Sequence, residues 1–151
     1  MTTAQEEIQQ NKGFQSEWHK LRVNLLITNG WLKNLIKDFL DEYDITQQQF
    51  NILRILRGAK GEPLSTNDLS DRMIDKMSDA SRIVDRLISK NLVRKNPCPH
   101  DGRKIQVFIT DEGESLLSTI DAEMDTFNAK FDALSLEEAR TLNQLLEKLR
   151  G

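Results

Sequence analysis

The fold is decided by the stretch Arg72–Lys104, which reads RMIDKMSDASRIVDRLISKNLVRKNPCPHDGRK. We call it the basic stretch, because it holds nine lysines and arginines against four aspartates, a net charge of +5. The whole chain carries −3, so the residues outside the basic stretch carry −8. An acidic chain with one compact basic block usually presents one surface for a polyanion.

The basic stretch has the pattern of a helix followed by a hairpin. Ser78 is a candidate N-cap for a helix over 78–90, in which apolar residues recur at helical spacing. Asn91 suits the left-handed conformation that commonly ends a helix. The run 92–95 predicts a short strand, and the alternation over 104–110 predicts its return strand. The residues between, 96–102, are rich in proline and glycine and predict a turn-rich tip.

Helices are predicted on both sides of the basic stretch. A wide apolar stripe indicates a long first helix over about 12–41, with Asn29–Gly30 as the place for a bend. Capping boxes at Thr46–Gln49 and Ser135–Glu138 each announce a helix, the second of which runs to the end of the chain. Between them, Ser65 or Thr66 caps a short helix, and another helix is predicted over 111–131.

This order of elements predicts a mainly α fold with a small β-hairpin wing. We expect a winged helix-turn-helix lobe at 46–110 within a single domain, 1–151. The N- and C-terminal helices, 12–41 and 111–150, are rich in apolar residues that need cover. We therefore expect them to be dimerisation helices in a homodimer.

Several classes of protein are excluded by what the sequence lacks. The single cysteine, Cys98, excludes an intrachain disulfide and fits the reducing cytoplasm. No apolar run approaches the ~20 residues that span a bilayer, and the N-terminus lacks the pattern of a signal peptide. The sequence shows neither metal-ligand spacing nor a phosphate loop, nucleophile elbow or paired-His motif. We expect a cytoplasmic protein that is not an enzyme and has no cofactor, metal or membrane partner.

Several short motifs stand out in the chain: Asn67–Leu69, the Ser81–Leu87 run, Leu92–Arg94, Asp101–Arg103 and Ile109–Gly113. Taken together, they resemble the MarR-type transcriptional regulators. The family pattern has a Ser/Thr-Arg-apolar-apolar-Asp-Arg-Leu run in the second helix and Asp-x-Arg in the wing. The chain departs from it at Asn91, where the family commonly has glycine, and at Gly102, where it often has a basic residue. The resemblance implies a sequence-specific DNA-binding regulator, most often a repressor, that binds a pseudo-palindromic operator.

The helix at 78–90 is the candidate recognition helix. Residues at the N-terminal end of such a helix reach base edges in the major groove, and Arg82 there can form a fork on guanine. Asp79 is expected to meet the helix dipole, with cytosine recognition as the alternative. Asp85 is expected to orient Arg82 or Arg86. The competing interpretation is that both arginines merely pair with these aspartates on a solvated face.

The wing is expected to probe the minor groove through Arg103. The resemblance implies that Asp101 holds the guanidinium of Arg103; an ordinary exposed turn with a weak ion pair is the alternative. The residues expected to contact double-stranded DNA are Ser78, Asp79, Ser81, Arg82, Arg86, Lys90, Arg94, Lys95, Asp101, Arg103 and Lys104.

An effector site is a further implication of the resemblance, since such regulators often bind small aromatic or anionic molecules. Candidate contributors are Trp18, His19, Arg22, Trp31 and Arg54. A simpler interpretation makes Trp18, Trp31, Phe127 and Phe131 core residues of a monomer.

Two other functions compete with DNA binding. The acidic outer helices would be the working surface of a winged-helix protein-interaction module. Alternatively, Cys98, near Arg94 and Lys95, would be the thiol of a redox-sensing regulator. A spare small residue in a loop is the simpler account of that cysteine.

Overall fold

The computed structural model describes residues 2–8 and 13–151, and its secondary structure is mainly helical with one antiparallel hairpin. This confirms the predicted fold class. The helices are α1 (Ala4–Glu7), α2 (Glu17–Asp41), α3 (Gln47–Gly58), α4 (Thr66–Arg72), α5 (Ala80–Ser89), α6 (Asp111–Ala122), α7 (Met124–Asn128) and α8 (Leu136–Arg150). The strands are β1 (Val93–Cys98) and β2 (Asp101–Ile109), and a 3-10 turn covers Ala129–Phe131. No helix in the described ranges is both long and apolar enough to cross a membrane.

The chain divides into two compact units, Met1–Asn51 and Ile52–Gly151. The first contains α1, α2 and the start of α3, and the second contains the remaining elements. The predicted lobe at 46–110, the outer helices and the single domain stay predictions.

In the first unit, α2 begins later than predicted. The side chain of Ser16 accepts a hydrogen bond from the His19 backbone N–H at 3.1 Å, so Ser16 is the N-cap and residues 13–16 precede the helix. Residue 12 lies outside the described residues. The helix continues unbroken through Gly30. The short α1 was not predicted, because four residues are too few to show an apolar period.

Two of the predicted helix starts in the middle of the chain are confirmed by their caps. The backbone N–H of Thr46 donates to Gln49 Oε1 at 3.0 Å, and the Gln49 N–H returns a bond to the Thr46 hydroxyl at 3.2 Å. Ser65 and Asp68 form the equivalent reciprocal pair at α4. The buried residues of the second unit include Ile52, Leu53, Leu56, Leu64, Leu69, Met73, Val84, Leu87, Val93, Val107, Leu117 and Ile120.

The hairpin of β1 and β2, called the wing from here on, is longer than predicted. Its register pairs Val93 with Ile109 and continues to Pro97 opposite Ile105, after which an irregularity pairs Cys98 with Asp101. Within the predicted turn-rich tip, 96–102, only residues 99–100 form the turn. The prediction was wrong for 96–98 and 101–102, which lie in the strands, because each strand of a two-stranded hairpin is an edge strand, which tolerates proline. The backbone N–H of Val107 also donates to the Leu64 carbonyl at 2.8 Å.

The base of the wing is fastened to α6 by Thr110. Its hydroxyl donates to the carbonyl of Asn91 at 2.7 Å and accepts from the N–H of Gly113 at 3.1 Å, which caps α6. Asn91 has a φ of 59°, as expected for the residue that ends α5. A Cβ atom at Gly113 would lie 2.4 Å from the carbonyl oxygen of Leu92. The Ile109–Gly113 motif is therefore a structural junction.

The helix predicted over 111–131 is broken into α6, α7 and the 3-10 turn. The backbone N–H of Glu123 bonds to the Ile120 carbonyl three residues back, which ends α6. No proline or glycine marks this position in the sequence, so the pattern gave no sign of the break. The capping box of Ser135 and Glu138 begins α8 as predicted.

Candidate nucleic-acid interface

The start of α5 is set by Asp79, whose carboxylate accepts a hydrogen bond from the Arg82 backbone N–H at 3.1 Å. The prediction of Ser78 as N-cap was wrong. Both residue types cap well, but the N–H of Ser78 donates to the Asp75 carbonyl at 3.2 Å, which places Ser78 in the preceding turn. Asp79 was expected at the start of the helix, where its negative charge meets the positive end of the helix dipole. Its position as the N-cap residue of α5 confirms this place.

The two faces of α5 differ in burial and charge. Ala80, Val84 and Leu87 are buried, and the opposite face exposes Ser81, Arg82, Asp85, Arg86 and Ser89. Lys90, the C-cap residue, is half-buried. Among the described residues, neither Arg82 nor Arg86 forms an ion pair. The competing interpretation, in which both arginines pair with Asp79 and Asp85 on a solvated face, is therefore wrong.

Asp85 connects α5 to the wing. Its Oδ1 lies 2.5 Å from Nζ of Lys95 on β1, with side chains 65% and 31% exposed. The expectation that Asp85 orients Arg82 or Arg86 was wrong, because β1 returns alongside α5 and brings Lys95 within reach. Asp85 thus partly neutralises the charge of Lys95. Lys104, in contrast, has no acidic partner among the described residues.

The wing carries its exposed basic residues on β2 and at the start of β1. Arg103 and Lys104 are exposed near the tip, whereas the guanidinium of Arg94 lies 4.5 Å from the ring centroid of Phe108. Asp101 accepts from the backbone N–H of Arg103 at 3.1 Å. The implied contact with the Arg103 guanidinium does not occur among the described residues. A short aspartate side chain reaches the N–H two residues on, so it orders the backbone instead.

The candidate effector residues fall into both units. Trp18, Arg22 and Trp31 are exposed on α2, and the half-buried His19 meets the Phe14 ring edge-on at 5.4 Å. Trp18 is 78% exposed and Trp31 47%, so neither is a core residue of the single chain. The effector role of these residues stays a prediction.

Arg54, the fifth candidate, belongs to an ion-pair cluster that the sequence did not predict. Its Nη1 lies 3.0 Å from Oδ1 of Asp121 on α6, and Nη1 of Arg57 lies 2.6 Å from Oδ2. The hydrogen bond from Arg57 lowers the pKa of Asp121 below its ordinary value, and the same bond raises the pKa of Arg57. The partners are 64 and 67 residues apart, too far for any local pattern to show.

These elements define a class of protein, the winged helix-turn-helix proteins. They are α4, the seven-residue connection 73–79, an amphipathic α5 with an exposed basic face, and a basic hairpin. A sequence profile of the MarR family matches residues 43–104. The HTH-type transcriptional regulator FarR of Neisseria gonorrhoeae is 28% identical over 136 residues, which cover 89% of this chain and 92% of FarR. The HTH-type transcriptional repressor IacR of Pseudomonas putida is 31% identical over 109 residues, covering 72% of this chain and 64% of IacR.

Solved structures agree with the sequence relatives. A mutant MarR from E. coli complexed with operator DNA superposes with a TM-score of 0.77 at 26% identity, covering 91% of this chain and 99% of that one. The profile match, the sequence relatives and the solved structures all support a MarR-family regulator.

Proposed function

We propose that this chain is a sequence-specific DNA-binding repressor that acts as a homodimer on a pseudo-palindromic operator. The observation that carries the proposal is the exposed face of α5, on which Arg82 and Arg86 have no acidic partner among the described residues. Support comes from IacR, whose name calls it a repressor, and from the MarR complex with operator DNA.

In this proposal, the N-terminal end of α5 enters the major groove. An α-helix fits that groove, and the first residues of a recognition helix reach the base edges. Arg82 in the first turn of α5 donates two hydrogen bonds to a guanine, worth ~1–3 kcal/mol of discrimination. Ser81 beside it contacts a base or a phosphate, and Arg86, one turn later, holds a phosphate.

The wing occupies the neighbouring minor groove. Arg103 near its tip enters where narrow A·T-rich DNA concentrates negative potential. Lys104 follows it on β2 and contacts phosphate. The junction of Thr110 with α5 and α6 supports this arm, because it fixes the base of the wing to both helices.

A homodimer is supported by apolar side chains that the single chain leaves exposed. In the second unit, Leu142, Leu145 and Leu149 recur along α8 at spacings of three and four and are 45–58% exposed. In the first unit, Trp18 and Leu26 on α2 are 78% and 66% exposed. Burying such surfaces in a two-fold dimer would present two recognition helices about 34 Å apart, one turn of DNA.

Release from DNA by a small aromatic or anionic effector completes the proposal. Its support is the arrangement on α2, where Arg22 stands one helical turn after the exposed Trp18, so that a cation and an aromatic ring lie on one face.

The test is a titration of labelled DNA from the region upstream of the gene against a shuffled duplex of equal length. Wild type should prefer its own region, and ~6 phosphate contacts should lower affinity about 10³-fold between 50 and 200 mM salt. Arg82→Ala should bring the two affinities together. Arg140→Ala, at an exposed arginine of α8 that lies outside α5 and the wing, is the control and should keep the preference. Equal wild-type affinity for both duplexes at every salt concentration would refute the proposal.

A further inference from the structure

The turn between α4 and α5 exposes two large apolar side chains beside the proposed interface. Ile74 is 79% exposed, and Met77 is 92% exposed, the highest value among the large apolar residues that the structure describes. The neighbouring Met73 is 2% exposed and anchors the turn in the core. The exposure of Met77 is therefore a feature of this turn and not of a frayed chain end.

The backbone around Met77 is held by a set of hydrogen bonds. The N–H of Met77 donates to Asp75 Oδ1 at 3.0 Å, and the N–H of Ser78 donates to the Asp75 carbonyl at 3.2 Å. The ammonium of Lys76 bonds to the carbonyl of Asp71. These hydrogen bonds hold the backbone of the turn in one conformation while the Met77 side chain stays exposed. An exposed apolar side chain on an ordered backbone is suited to contact with another molecule.

The position of Met77 limits what that contact can be. Three residues span at most about 10 Å, so the Cα of Met77 lies within that distance of Ala80, the first residue of α5. The major groove is about 12 Å wide. If the N-terminus of α5 enters the groove, Met77 enters it too or lies at its edge. The exposed side chains around the turn balance in charge, with Arg72, Lys76 and Arg82 against Asp71, Asp75 and Asp79. The position of the turn beside the groove, and not its net charge, therefore favours DNA as the partner.

We propose that Met77 is a specificity-determining residue that recognises thymine through its C5 methyl group. This inference rests on the proposed function and adds to it a base that the arginines do not read. The C5 methyl is the apolar feature that thymine presents in the major groove. The flexible, polarizable methionine side chain adapts well to such a surface.

The experiment uses duplexes enriched by the full-length protein from a random pool. Each thymine of the enriched half-site is replaced singly by deoxyuridine, which removes the methyl group and leaves base pairing unchanged. Wild type should lose about fourfold in affinity at one thymine of the half-site, the factor expected for one buried methyl group. Met77→Ala should bind the thymine and uracil duplexes equally at that position.

Two further variants make the test specific. Met77→Leu keeps an apolar side chain and should retain the preference for thymine, and Ile74→Ala should retain it at the same position. Because Met77 is so exposed, Met77→Ala should melt at the temperature of wild type, which separates a lost contact from a lost fold.

The outcomes separate the inference from the proposed function. Wild type that binds the enriched duplexes no better than random DNA refutes the function itself. Specific binding with no uracil effect, with an equal uracil effect in Met77→Ala, or with no thymine in the enriched half-site overturns the role of Met77 alone. If Met77 contacts a deoxyribose at the groove edge and not a thymine methyl group, wild type should bind specifically and show no uracil effect.

Discussion

Replacing Gly113 by alanine should weaken the junction between the wing and α6. The new Cβ would lie 2.4 Å from the carbonyl oxygen of Leu92 and 2.7 Å from Cγ1 of Ile109. Ordinary contacts of this kind begin at 3.4 Å, so the two groups must separate by about 1 Å. The Leu92 carbonyl cannot move freely, because it accepts the backbone N–H of Thr110 at 3.1 Å.

Two opposing effects determine the size of the loss. Overpacking of this kind costs ~1–3 kcal/mol, and alanine returns up to about 1 kcal/mol over glycine in a helix. The net free energy of unfolding should fall by ~1–2 kcal/mol. For a chain of this length, that lowers the Tm by roughly 2–8 °C.

Thermal unfolding followed by circular dichroism, at one fixed protein concentration, measures this loss. Gly58→Ala is the matched control, because Gly58 is also helical and, apart from its chain neighbours and the backbone of its own helix, nothing lies within 4 Å of the position that its new Cβ would take. The control should melt at or slightly above the Tm of wild type. A Gly113→Ala protein that melts as high as the control would refute the steric argument for the junction.

Three further predictions concern single polar contacts. Asp79→Ala should lower the free energy of unfolding by ~1 kcal/mol by removing the cap of α5, and Asp79→Ser should restore most of it in the same melt. Lys104→Gln should reduce the slope of log affinity against log salt concentration by about 0.9. Lys95→Gln should reduce that slope less, because Asp85 already partly neutralises Lys95. The same slope in both variants would contradict this prediction. Asp121→Asn should destabilise by up to ~1 kcal/mol at neutral pH. The folded state lowers the pKa of Asp121. Its stabilising contribution is therefore fully present above pH ~3.9, the pKa of an aspartate in the unfolded chain, and is lost as the pH falls through the lowered value. Acid melts of wild type and Asp121→Asn should therefore converge.

The elements that the sequence predicted well are those with local signals at their ends. Thr46, Ser65 and Ser135 each bond to the residue three positions on, and each pair was visible as a capping box or an N-cap. Asn91 was predicted to be left-handed because few other residues accept that conformation, and its φ is 59°. Caps and special backbone positions depend on neighbours in sequence, so a single sequence carries them.

Contacts between distant elements were not predictable in this way. Asp85 was assigned to an arginine on its own helix, but the pairing of the hairpin brings Lys95 closer. Asp121 and Arg57 meet across α6 and α3 with no signal in either segment. The exposure of Met77 was equally hidden, because the sequence alone does not show which side chains of the turn between α4 and α5 face outward.

In the proposed function, α5 and the wing of a two-fold dimer read DNA sequence. Selection of bound duplexes from a random pool tests this reading, because a single experiment gives the half-site, its symmetry and its spacing. We predict an enriched inverted repeat with half-site centres about 10–10.5 base pairs apart, lost when Arg82→Ala replaces wild type. A pool that stays random after repeated rounds, or enrichment that Arg82→Ala leaves unchanged, would contradict it.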